Sequence, residues 1–157
     1  MQKANTLKAL QLIHTAMLFG QIAFATIAIF LIHSNTFLPA YSLYNKVAQV
    51  IILSYSGLVS YIGIQVYFTS KVYAIKDAEA TVKEKFIVFK KASIVKWACI
   101  ESATLVSIIG FLLVGNYAFL ALAFTLIILF AIMGASKAKL MLLLKFTEAD
   151  IEEISNA

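Results

Sequence analysis

The chain has no arginine, and it holds one cysteine, one proline and two histidines. Without arginine it lacks the planar, five-donor group best suited to clamping phosphate or carboxylate in bidentate fashion. With Cys99 alone, neither an intrachain disulfide nor a CxxC metal or redox motif can form, and its place in an apolar block reads as packing. His14 and His33 stand 19 residues apart, near opposite faces of any membrane the intervening helix would cross. They cannot share one haem. No GxGxxG, Walker loop, HExxH, GxSxG or Cys/His cluster occurs, so no cofactor or metal is called for and soluble-enzyme chemistry has little footing. Charge is scarce too, at 13% of residues against about 25% in an ordinary soluble domain.

What is there is oil. Apolar residues make up 62% of the 157, where a soluble domain carries about 45–50%. They fall in four blocks, roughly 9–32, 47–68, 94–114 and 117–135, each close to the ~20 residues a helix needs to cross the hydrocarbon. The first block has no small-residue cleavage site behind it and reads as a retained span. The expected fold is an all-α integral membrane four-helix bundle, up-down-up-down, over residues 1–146, with a short acidic tail at 147–157. Three connections and that tail leave no room for a separate soluble domain.

The net charge of +5 matters less than its placement. Lys3 and Lys8 precede the first span, Lys71 to Lys96 lie around the second connection, and Lys137, Lys139 and Lys145 follow the fourth. Only Lys46 falls on the other side. The positive-inside rule therefore sets both termini in the cytoplasm.

Local signals refine this outline. Asn5 or Thr6 can cap the first helix, which emerges near His33-Ser34-Asn35, and Tyr41 and Tyr44 read as interfacial aromatics beside Pro39. The second helix runs to about Lys76, with its last turns beyond the membrane. Thr81 and Glu84 have the spacing of a capping box, so the third helix begins well before the bilayer and runs to about Val114. Helices two and three thus extend into the cytoplasm as a hairpin. Lys83, Lys85, Lys90 and Lys91 on it are candidate contacts for lipid or an acidic partner, not for nucleic acid. Gly115-Asn116 is too short for anything except an antiparallel return. The stretch KAKLMLLLK lies at the inner surface, and Thr147 with Asp150 caps the acidic segment, whose carboxylates can meet the hairpin lysines.

Seven of the eight acidic residues fall outside the spans, and Glu101 alone lies within one. A charge near a helix centre costs about 2.5–3.5 kcal/mol on insertion scales, so such residues face the bundle and mark a site or a contact. His14 and Gln65 lie at similar depth, with Gln11 and Tyr61 one turn away on the same faces. Converging, the five would form one polar layer with Glu101 paired to His14. That layer serves either as a working proton, cation or amine site, or as a knot fixing helix register.

The stretch KKASIVKWACIESATLVSIIGFLLVGNYAFLALAFTLIILF, followed by SKAKLMLLLKFTEADIEEI, resembles a group of short bacterial four-span membrane proteins of unassigned function. The likeness is closest in the third span, with its basic entry, buried glutamate and Gly-Asn exit turn. It implies a bacterial inner-membrane location and no activity. The expected role is a non-enzymatic membrane subunit, homo-oligomeric or part of a larger complex, channel-like or transport-accessory, centred on Glu101. The alternative is a scaffold or assembly factor that recruits a partner through the lysine-rich hairpin.

Overall fold

The computed structural model describes residues 6–39 and 45–156, and these are helical throughout apart from short turns. Asn5, Tyr41 and Tyr44, named above as cap and interfacial residues, lie outside them. Helix α1 spans Thr6–His33 and α2 spans Asn45–Tyr61. A π-helical segment, Ile62–Thr69, continues α2 into α3, Ser70–Lys76. Helix α4 spans Val82–Val114, α5 Tyr117–Ile132, α6 Lys137–Leu144 and α7 Glu148–Asn156. Three rods, Thr6–His33, Asn45–Lys76 and Val82–Val114, are long and apolar enough to cross a membrane, and α5 with α6 makes a fourth if that bent pair is one span.

Each boundary has a local cause. Thr81 accepts from the Glu84 amide while Glu84 accepts from the Thr81 amide at 2.9 Å, so the capping box that starts α4 is complete. Gly115 ends α4 in the left-handed region at φ 74°, which glycine adopts without a Cβ clash. Asn116 then caps α5 by accepting from the Ala118 amide, and its own amide donates to Asn45 Oδ1 at 2.7 Å. The turn between α4 and α5 is thereby tied to the start of α2.

Helix α4 is the hub. It packs on α1, on α2 and on α5, whereas α1 and α2 scarcely touch each other. Half of the most apolar window of α4 is buried, against 17% of that of α1 and of α2. The outer two helices therefore present most of their apolar surface to whatever surrounds the chain.

Small residues bring α2 and α4 together. A Cβ on Gly63 would stand 2.6 Å from Cys99 Cβ, so this crossing needs glycine. One step along, Ser56 is within hydrogen-bond reach of Ser107 at 3.4 Å, and Tyr55 meets Ser102 at 2.6 Å. The α4 numbers fall as the α2 numbers rise, so the two run antiparallel. The π segment widens the rod here, and its Thr69 hydroxyl returns to the carbonyl of Ile64 at 2.8 Å, five residues back.

Helix α7 docks through oil and not through charge. Ile151 and Ile154 are buried in the same cluster as Leu7, Leu10, Phe86 and Leu144. The acidic residues of the tail do not engage the hairpin lysines as ion pairs; Asp150 is turned inward to close its own capping box on Thr147 at 2.7 Å. The ion pair found among the described residues is Lys145 to Asp77 at 2.7 Å. It joins the end of α6 to the hairpin turn.

Candidate functional site at a helix break

Helix α5 does not run on into α6. Four residues, 133–136, interrupt it, and the axes differ by 77°. A helix end leaves its last carbonyls without amide partners, and in a membrane each such group costs several kcal/mol if nothing satisfies it. Gly134 and Ser136 supply the sequence reasons for stopping and restarting. Gly134 has poor helix propensity, and Ser136 caps α6 by accepting from the Lys139 amide at 3.3 Å.

The carbonyls around the break are taken up by side chains from three helices, that of Phe130 also accepting from the Met133 amide at 3.0 Å. His14 of α1 bonds the carbonyl of Phe130 through Nε2 at 2.9 Å, and since a carbonyl only accepts, Nε2 carries the proton. Gln11, one turn earlier, donates to the carbonyl of Ala135 at 3.2 Å. Trp97 of α4 donates its indole N–H to Met133 at 3.0 Å. Lys139 of α6 folds back to donate to Ile132 at 2.6 Å and to Gly134 at 2.7 Å. Four side chains thus serve five carbonyls.

Ring packing fixes the same geometry. The His14 imidazole lies parallel to the Phe130 ring at 4.6 Å and tilted against the Trp97 indole at 4.7 Å. Gly134 faces that imidazole so closely that a Cβ there would stand 3.0 Å from His14 Cε1. The break, the histidine and the glycine form one unit.

Of the five residues expected to form one polar layer, the structure brings His14 and Gln11 together, at this break. It does not join the other three to them by a hydrogen bond. Gln65 is exposed and accepts from Thr69 on its own helix at 3.0 Å. Tyr61 is exposed at 60%. Glu101 is half-buried and forms no hydrogen bond or ion pair with any described residue. Helix α4 meets His14 through Trp97, and Glu101 stands one helical turn further along.

Glu101 also lies beside the outward stripe of α4, with Ala98 and Leu105 as its neighbours one turn away. Ile87, Lys91, Ala98, Ile109 and Leu113 are exposed at spacings that keep one helix face, and half-buried Leu105 continues it. The stripe is what the contacts to α2 through Cys99, Ala103 and Ser107 and to His14 through Trp97 leave uncovered.

The lysines named as partner contacts lie on the first turns of α4. Lys83 and Lys91 are exposed, Lys90 is half-buried, and Lys85 donates to the carbonyl of Lys76 at 3.0 Å, closing the hairpin turn. Sequence reasoning missed three participants: Trp97, Lys139 and Lys96. The Gly-x-Ser spacing at 134–136 is the signal that could have found the first two, because a broken helix needs donors near its end. Lys96 is 7% exposed, and its ammonium sits 3.7 Å from the centroid of the Phe68 ring. Among the described residues no three His, Cys, Asp or Glu side chains converge as metal ligands do.

No family model matches the chain, and neither a curated protein nor a solved structure does.

Proposed function

We propose that the chain is a non-enzymatic multi-pass membrane subunit that assembles with further copies of itself through the outward stripe of α4, with Glu101 at the contact. The observation that carries this reading is the carboxyl group of Glu101, half-buried within the long apolar helix α4 without a hydrogen-bond or ion-pair partner among the described residues. An acidic group in such a helix is costly unless something outside the chain meets it. The slot is open because α1 and α2, which flank α4, scarcely meet.

In this reading the four spans run up-down-up-down with both termini in the cytoplasm of a bacterial inner membrane. The hairpin of α3 and the first turns of α4 projects inward, and α6, bent by 77°, lies along the inner surface as a basic, apolar helix does. Copies that share the Glu101 stripe could enclose a polar path, which is the channel-like or transport-accessory role. The scaffold alternative draws on exposed Lys83 and Lys91, neither of which forms an ion pair with a described residue.

Molecular mass in mild detergent, for the native chain, Glu101→Gln and Glu101→Leu, tests the assembly. The native chain is expected as an oligomer and Glu101→Leu as a folded species of lower mass. A monomeric native chain removes the proposal. Retention of the oligomer by Glu101→Leu removes Glu101 from the contact.

A further inference from the structure

A second feature of the helix break is not absorbed by the carbonyl caps. Between α6, the start of α4 and the π segment lies a cavity of about 270 Å³, lined by Lys96, Lys139, Phe68, Phe89, Leu142 and Leu143 among others. Two lysines line it and, among the described residues, no carboxylate does. Lys96 is a buried cation whose close neighbour is the face of an aromatic ring. Lys139 uses its N–H groups on two carbonyls and has a third to give. A buried cation without a counter-charge is expensive, and buried charges are as a rule paired.

We propose that Lys96 and Lys139 hold the phosphate of an acidic phospholipid, with the glycerol end of an acyl chain lying along Leu142 and Leu143. The wall chemistry selects an amphiphile: Leu142 is 76% exposed and continues the apolar lining outward from the two charges. Lysine binds phosphate as a point charge, so the missing arginine is no obstacle. A lone carboxylate would fill only a fraction of the cavity. Basic pockets between membrane helices commonly take anionic headgroups in this way. The site is separate from the Glu101 stripe and does not depend on assembly.

Thermal unfolding of the full chain in nanodiscs tests it. The bilayers compared are phosphatidylcholine alone, phosphatidylcholine doped with phosphatidylglycerol, and phosphatidylcholine with added oleate or inorganic phosphate. Phosphatidylglycerol is expected to raise the native melting temperature by about 5 °C or more, the effect of a ligand well above its dissociation constant, while oleate and inorganic phosphate do not. Lys96→Met keeps the apolar stem and removes the charge. Its melting temperature in phosphatidylcholine should equal or exceed the native one, and its response to phosphatidylglycerol should vanish. Lys139→Gln, which can still donate to the carbonyls, should bind at least about tenfold more weakly, and it decides the matter should Lys96→Met fail to fold. Lys90→Gln with Lys91→Gln should respond as the native chain does. The proposal fails if native chain and Lys96→Met respond alike, if phosphatidylglycerol has no effect, or if oleate or free phosphate reproduces the shift.

Discussion

His14 and Phe130 meet twice: the imidazole Nε2 lies 2.9 Å from the Phe130 carbonyl oxygen, and the two rings stack at 4.6 Å with an interplanar angle of 3°. One residue of α1 thereby both caps the end of α5 and packs against the side chain whose carbonyl it caps. The two contacts can be separated by substitution. His14→Phe keeps ring stacking and removes the donor, so it should cost about 0.6 kcal/mol, the average for interhelical hydrogen bonds in bilayers, and at most about 1.7 kcal/mol. His14→Ala also leaves a cavity and should cost about 3 kcal/mol or more. Reversible unfolding in detergent micelles measures both, and equal costs for the two variants would show that the ring contact contributes nothing.

Gly134 and His14 are coupled sterically. A methyl group at 134 would press on the imidazole at 3.0 Å, and crowding of this kind costs about 1–3 kcal/mol. Gly134→Ala should therefore destabilise the native chain and be nearly neutral in a His14→Ala background. A double-mutant cycle reads the difference. Additive costs would place the two residues apart.

How much of this was legible in the sequence depends on which interaction sets the answer. Caps are local, and the Thr81 and Glu84 box, the Gly115 turn and the Thr147 and Asp150 box all stand where their spacing put them. Long apolar rods follow from composition. Which residue of a helix meets a neighbouring helix, by contrast, is fixed by tertiary packing, and α4 meets His14 through Trp97, one turn before Glu101. The break after α5 was written in Gly134 and Ser136, yet an apolar stretch on both sides masks it, since neither side loses hydrophobicity. Lys96 looked like an interfacial charge because position alone does not tell which lysines a neighbouring Phe68 will cover.

Three carboxylates outside the spans give the chain an acid response. The Lys145 hydrogen bond holds Asp77 below its ordinary value, and amide and hydroxyl donors of Thr147 and Thr81 do the same for Asp150 and Glu84. A carboxyl group whose folded value is depressed contributes stability above its unfolded value of about 4, and that contribution is lost as pH falls through the lower, folded value. Amide exchange in residues 82–86 and 147–154 should thus be insensitive to pH-linked opening from about pH 5 upward, once corrected for intrinsic chemistry, and opening should increase below about pH 4. Asp150→Asn should abolish the acid step in α7 and leave that of α4. An acid step in α7 that survives Asp150→Asn would remove the cap as its cause.

Helix α7 is held by two isoleucines, 4% and 2% exposed. Replacing Ile154 by Asp buries an unpaired charge or undocks the helix, and undocking is the cheaper outcome. Limited proteolysis should then cut after Lys145, while the melting temperature of the membrane helices stays within a few degrees of native. If the tail of Ile154→Asp stays protected, its docking rests on other contacts.

The outward face of α4 is the surface on which the proposed assembly stands, and a photo-crosslinking amino acid at Ala98 in native membranes probes it directly. Ala98 is exposed, one turn from Glu101 on the uncovered stripe, and Ile128 on α5 is an exposed comparison site at 61%. The expected result is an adduct at twice the chain's mass from position 98, lost in Glu101→Leu, with little or none from position 128. No such adduct from position 98, or equal adducts from both positions, would contradict it.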